Sequence, residues 1–295
     1  MVLRFIFSFL GGIFSMLTLG AGMAALTLGA IFYMYGKNLP TYEALAVYQP
    51  KTISRVYSGE GQVIDEFADE QRLFTPIEGI PELVVHAFVS AEDKDFFEHD
   101  GYSVMAILSA VRDVITTRGQ TVRGGSTITQ QVAKGLLLDG SRTIERKVRE
   151  IILAPRLEEV LGKDGVLEIY LNEIFLGQNA YGVTAAARRY YGKTLEELLP
   201  QEAAYLAALP KAPSSYHPVR RKERAVERRN YVLEEMAENG HLSREAADAA
   251  KAAPLETVFG GEIESQLPSI PSATYFSDEI RRQLTAELGP EALYG

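Results

Sequence analysis

The sequence predicts a mainly α-helical body tied to a membrane by a single N-terminal helix, with one short β-hairpin between the two. Residues 5–35 form an uncharged run of roughly thirty residues, longer than the ~20 that a helix needs to cross a bilayer. From Pro81 onward, apolar residues recur at spacings of three and four over many successive stretches, the period of a helix face turned toward a core. Between these regions, residues 52–70 hold two β-prone runs around Ser58-Gly59-Glu60-Gly61, the composition of a hairpin turn.

At 295 residues and 46% apolar, the chain buries a substantial core and exceeds the usual size of one domain. It has no cysteine, which excludes a disulfide framework and thiolate metal sites. His86, His99, His217 and His241 are scattered without ligand spacing, which argues against zinc. A net charge of −9 argues against nucleic acid as a partner.

Taken in order, residues 1–36 read as a cytoplasmic stub and membrane helix. The apolar run is longer than the core of a signal peptide, so a retained anchor is expected. Arg4 and the terminal amine precede it and acidic residues follow, which orients the N-terminus inward. Gly11, Gly12, Gly20, Gly22 and Gly29 would admit a neighbouring helix. Residues 37–75 form a connector with the hairpin, 76–253 the helical body, and 254–295 a linker. Helices are expected over 82–98, 102–117, 127–138, 142–161, 163–175, 180–191, 194–208, 220–239, 243–252 and 275–288. Loops fall at 117–125, 139–141 and 177–179, with a firm break at 211–218.

Chemistry concentrates in three stretches. In 91–101 (AEDKDFFEHDG) an apolar helix stripe of Leu83, Val84, Ala87, Phe88 and Ala91 runs into Glu92, Asp93, Asp95 and Glu98 beside Phe96, Phe97 and His99. A carboxylate leaving an apolar face beside aromatics acquires a raised pKa and can serve as a general base; acids at a helix end are otherwise simply solvated. In 123–134 (RGGSTITQQVAK) a glycine turn leads into a helix start where Thr127 and Gln130 fit a capping box, Ser126 being the other candidate cap. Such an N-terminus suits an anion, with Gln130, Gln131 and Lys134 as polar and cationic groups in its first turns. In 142–150 (RTIERKVRE), Arg142, Arg146 and Glu150 share one stripe with Lys147 and Arg149 beside it. That pattern suits either a polyphosphate site beside an acid or a salt-bridged exposed helix. Pro155 should bend or stop that helix a turn later. In 165–182, Leu167, Tyr170, Leu171, Ile174 and Phe175 read as core, with Asn172 hydrogen-bonded inside. Arg228 to Leu233 read as packing with a solvated basic edge.

Together these segments resemble the peptidoglycan glycosyltransferase domain of class A penicillin-binding proteins. Glu92-Asp93 with Phe96, His99 and Gly101 matches EDxxFxxHxG, residues 125–131 match GSTITQQ, and Arg146-Lys147 with Glu150 matches RKxxE. Residues 167–172 match ILExYLN except that Val166 replaces its first Ile, and residues 228–233 match the last segment. The likeness runs from about Ser54 to Pro218 and more loosely beyond. It departs at Gly135, where the family has Asn, and at Pro155, where it has a helix former.

The resemblance implies a lysozyme-like α fold that polymerises lipid II into β-1,4-linked glycan strands. Glu92 would be the general base on the acceptor's 4-hydroxyl, whose oxygen displaces undecaprenyl pyrophosphate with inversion. Lys134, Arg142, Arg146 and Lys147 would stabilise the leaving group. Ser126, Gln130 and Gln131 would line the cleft, and Glu150 would orient the cations or hold a metal. No cofactor is obligatory, although a divalent cation (Mg or Mn) with the pyrophosphate is compatible. Residues 102–114 would graze the lipid surface. The implied location is the bacterial inner membrane, single-pass, with the body on the outer side. The implied partners are lipid II, the growing lipid-linked strand, and cell-wall synthesis proteins reached through the membrane helix. Neither SxxK nor KTG, the transpeptidase motifs, occurs in these residues, and residues 275–295 resemble the lead-in to such a domain. A glycan hydrolase and a membrane-anchored scaffold are the competing readings.

Overall fold

The computed structural model describes residues 2–37, 39–42, 45, 54–67, 71–105, 108–109, 112, 116, 125–139, 141, 143–265 and 274–289. It is mainly helical, as the periodicity predicts.

Helix α1 (Val2–Gly36) contains one span, Phe7–Gly36, apolar and long enough to cross a membrane, none of it buried against the body. Its foot meets the body where a Cβ on Gly36 would lie 3.9 Å from Ile152 Cδ1. Strands β1 (Ser54–Tyr57) and β2 (Val63–Phe67) form the expected antiparallel hairpin, Ser54 opposite Phe67. Its turn closes through Ser58 N–H to the Gln62 carbonyl at 2.7 Å. A pairing that hydrophobic alternation does not reveal joins β3 (Gln71–Arg72) in parallel to β4 (Ala180–Tyr181). Arg72 secures it, ion-paired to Glu173 and stacked 4.6 Å from the Tyr181 ring centroid.

The body comprises α2 (Glu82–Glu92), α3 (Ile128–Leu137), α4 (Ile144–Glu173), α5 (Val183–Tyr191), α6 (Pro200–Ala208), α7 (Lys222–Glu238) and α8 (Arg244–Ala252), with α9 (Thr274–Leu288) beyond. Helix α6 is the central post. Residues 203–208 are wholly buried, and four of those six are alanines, whose small side chains let neighbouring helices approach closely. Helices α2 and α7 pack on it and α3 packs on α4. Val84, Ala87, Phe88 and Val89 of α2 lie in the same core, each large apolar side chain contributing roughly 1.5–3 kcal/mol.

Several boundaries depart from expectation for local reasons. Helix α2 stops at Glu92 rather than at 98, because Asp93 leaves helical geometry (φ −160°). The division expected between 142–161 and 163–175 is present: α4 is kinked at Gly162, whose backbone is non-helical (φ 67°, ψ 178°). Pro155 does not stop the first of these two segments, whose helical geometry runs on until Gly162. Residues 180–181 are strand rather than helix. Helix α6 starts at Pro200 rather than at 194, where proline at the first helical position and Glu202, accepting from Leu199 N–H at 2.8 Å, define the start. Asn172 is bonded inside as expected, exchanging hydrogen bonds with the Thr75 backbone at 2.8 and 2.9 Å. The helix expected over 102–117 and the loop at 117–125 lie largely outside the described residues.

With φ +86°, Gly101 lies against α4, where an added Cβ would be 2.6 Å from Ala154 C and Pro155 N. Only glycine fits there, on both conformational and steric grounds. Gly101→Ala is expected to destabilise the body by about 3 kcal/mol, read as a lowered denaturation midpoint. An unchanged midpoint would show that the loop does not rest on the helix.

Candidate active site

The chemistry-bearing segments converge on one cleft of about 1060 Å³ between the end of α2, the starts of α3 and α4, and α7. Glu92, the last residue of α2, accepts a hydrogen bond from Gln131 Nε2 at 2.9 Å. Burial pushes the Glu92 carboxyl upward; the Gln131 bond and the charges of Arg228 and Lys211 pull it down, Asp93 pushes it up, and the balance stays raised. A carboxylate so placed takes a proton more readily than an exposed one.

Asp93, next in sequence, has a structural role. Its Oδ2 accepts from Ile128 N–H, the first residue of α3, at 2.9 Å. His99 Nε2 donates to the same carboxylate at 3.0 and 3.1 Å. Thr127 caps α3, its Oγ1 accepting from Gln130 N–H at 3.2 Å and donating to the Gly101 carbonyl at 2.7 Å. The reciprocal half of the expected capping box is missing, because the Gln130 side-chain carbonyl turns to Lys147. Ser126 does not cap either; its hydroxyl also meets Lys147.

Lys147 is therefore the hub of the far wall. Its ammonium donates to Ser126 Oγ (2.6 Å), Gln130 Oε1 (2.9 Å) and Glu150 Oε2 (2.9 Å). Arg146 pairs with the other oxygen of Glu150 and bonds the Ser141 carbonyl. Glu150 itself is buried at 2% exposure, so two cations neutralise and orient one buried carboxylate. Lys134 is exposed and lines the same cleft. Arg142 lies outside the described residues.

Lys94, Lys211, Arg228, Tyr231 and Glu235 also line the cleft, and the sequence reading assigned none of them to the site. Arg228 and Arg229 part company there. Arg228 faces the cleft with its guanidinium 4.5 Å from the Tyr231 ring centroid. Arg229 is buried at 1% exposure and donates to the carbonyls of Ala253 (2.8 Å) and Lys251 (3.0 Å). The missed signal was helical spacing: 228, 231 and 235 are three and four apart and fall on one face.

Comparison with known proteins gives the chain a family. Residues 60–237 match the family described as Transglycosylase, and the chain belongs to that family. It is similar to penicillin-binding protein 1A of Rickettsia conorii, 37% identical over 281 residues, 95% of this chain and 34% of that protein. Penicillin-binding protein 1A of Aquifex aeolicus is 45% identical over 220 residues, 74% of this chain and 30% of that protein. A crystal structure of penicillin-binding protein 1A from Haemophilus influenzae aligns with 84% of this chain and 26% of its own, at 26% identity and a TM-score of 0.47. The chain thus spans about a third of the length of the curated relatives it matches.

The Asp93–His99 pair has a pH signature. Burial lowers the His99 pKa, but the hydrogen bond and charge of Asp93 outweigh it and leave it raised above the ordinary 6.5. Its stabilising contribution is then full below pH 6.5 and is lost as pH rises through the folded value. Unfolding free energy measured across neutrality should therefore fall more steeply with rising pH in the parent than in His99→Gln. Parallel curves would rule the pair out as a source of stability.

Proposed function

We propose that this chain is a peptidoglycan glycosyltransferase that joins lipid II units by inverting displacement, with Glu92 as the general base. The observation that supports this reading most directly is the pairing, in one cleft, of a half-buried carboxylate with a raised pKa and a set of oriented cations. Glu92 takes the proton of the acceptor sugar's 4-hydroxyl as that oxygen bonds to the anomeric carbon of the donor. The bond from that carbon to the pyrophosphate oxygen breaks, and the lipid pyrophosphate leaves with both bonding electrons. A neutral alcohol is a weak nucleophile, so the positioned base matters. The departing oxygen gains negative charge, which Lys134, Arg146 and Lys147 are placed to stabilise, with Arg142 assigned there by resemblance. Gln131 orients Glu92, while Ser126, Gln130 and Glu150 hold the Lys147 ammonium.

Among the described residues no group of three or more His, Cys, Asp or Glu is placed to hold a metal ion. Both oxygens of Glu150 face cations, so its surroundings fit the orienting role and not a metal ligand's. A divalent cation arriving with the pyrophosphate remains compatible with the cleft. We assign the chain to the bacterial inner membrane as a single-pass protein, its body on the outer face, where both substrates keep their lipid tails in the bilayer. The catalytic unit is taken as residues 76–253, and cell-wall synthesis proteins that pack on α1 as its partners.

Polymerisation of labelled lipid II by the detergent-solubilised chain tests this. Glu92→Gln should lower the rate roughly 10²–10⁴-fold while lipid II still binds. A variant as fast as the parent would remove Glu92 from the chemistry. Because the base must be ionised, activity falls as pH drops through its pKa, and the acid limb of kcat/KM should lie above the ordinary carboxylate value of 4.5. Gln131→Leu deletes a hydrogen bond that favours the ionised form, so its limb should move to still higher pH; a shift downward would contradict the assignment.

A further inference from the structure

Helix α7 contributes Arg228, Tyr231 and Glu235 to the cleft wall, and the proposed chemistry leaves them without a task. Their neighbours Val232 and Leu233 are wholly buried, so α7 already has the apolar face that holds it to the body. Tyr231 contributes little to that packing: it lines the cleft yet is 47% exposed. A large aromatic left open beside the general base has a surface that packing does not require. It is also held in place. The Arg228 guanidinium stacks on it 4.5 Å from the ring centroid, and Glu235, one turn further along α7, lines the cleft with it. Burial and the nearby Glu235 carboxylate push the phenol's pKa upward, so it stays protonated.

A pyranose suits such a surface. One face of a β-linked sugar ring presents axial C–H groups and its rim presents hydroxyls, so an aromatic plane with polar groups at its margin complements both. Tyr231, Arg228 and Glu92 line the same cleft, and the charge of the Arg228 that backs the ring acts on the Glu92 carboxyl. A sugar bound there is the one whose hydroxyl Glu92 can reach.

We propose that Tyr231 is the stacking platform for the acceptor saccharide, backed by the Arg228 guanidinium. This rests on the transferase reading above and names the surface that positions the incoming sugar. A preorganised ring holds the acceptor's 4-hydroxyl toward Glu92 without ordering a free side chain on binding.

Steady-state polymerisation of lipid II by the detergent-solubilised full chain provides the test, comparing parent, Tyr231→Leu and Tyr231→Phe, each checked for an unchanged melting temperature. Losing the aromatic face should raise KM roughly five- to tenfold with kcat nearly retained, the size expected for one aromatic contact. Tyr231→Phe keeps the ring and should recover most of that loss. The platform is overturned if Tyr231→Leu leaves KM within about twofold of the parent, or if Tyr231→Phe is as impaired as Tyr231→Leu, which would place the role in the hydroxyl. A parent that makes no glycan overturns the transferase reading and the platform with it. An active parent with an unaffected Tyr231→Leu overturns the platform alone.

Discussion

The carboxylate of Asp93 is the constraint on which the site depends. It sits one residue beyond Glu92, where α2 ends, and takes the first backbone N–H of α3 together with the ring N–H of His99. One acid therefore closes one helix, opens the next and fixes the loop between them. Two consequences follow for Glu92. It cannot continue along the helix, and Gln131, one turn into α3, is brought within 2.9 Å of it. A buried carboxylate is expensive to leave unpaired, and here the pairing is spent on geometry rather than on charge neutralisation alone. Behind this joint, Lys163 lies 4.5 Å from the Phe96 ring centroid and pairs with Glu158 at 2.6 Å. Thr129 Oγ1 donates to the same glutamate at 2.5 Å, so α4 braces the joint from beneath.

The second carboxylate is treated differently. Among the described residues Glu92 makes no ion pair, and its pKa stays raised despite the charges of Arg228 and Lys211, whereas Glu150 has a cation on each oxygen. Two glutamates in one cleft thus have divided properties, the pattern expected where one group exchanges protons and the other manages charge. Lys147 gains from this arrangement. Its three ammonium hydrogens have three acceptors, so its charge is fixed in position before any ligand arrives, which is what electrostatic preorganisation requires.

Much of this was legible in the sequence, and the exceptions have physical causes. Helix periodicity gave the body, because a core-facing stripe repeats along each helix; hairpin chemistry gave β1–β2. Motif spacing brought out Glu92, Gln131, Lys147 and Glu150. Helix ends were less readable, since Asp93 ends α2 through contacts with residues 99 and 128 that no local pattern contains. Pro155 lies within α4 without ending it, because helical geometry continues past it to Gly162. The β3–β4 pairing joins residues more than a hundred apart through two short strands, too short to alternate visibly. Tyr231 and Glu235 escaped notice because a helix bearing both a buried face and a cleft face looks like an ordinary amphipathic one. Deciding which polar face meets a cavity requires knowing what stands opposite.

The division between the two glutamates also bears on transfer against hydrolysis. Hydrolysis of a glycosidic bond by two carboxylates requires the second to act freely, as nucleophile or as base on water. Glu150 is buried and held by Arg146 and Lys147; to attack carbon or to take a proton it would first have to surrender those cations. A hydrolase would gain nothing from fixing positive charge beside the bond it breaks, because an alcohol leaving group needs a proton rather than a cation. A pyrophosphate leaving group has the opposite need: it departs already anionic and requires charge, not acid, beside it. The arrangement around Lys147 suits the second case. The exposed span of α1 agrees with it, since a substrate that enters and leaves on lipid tails is best met at the membrane surface.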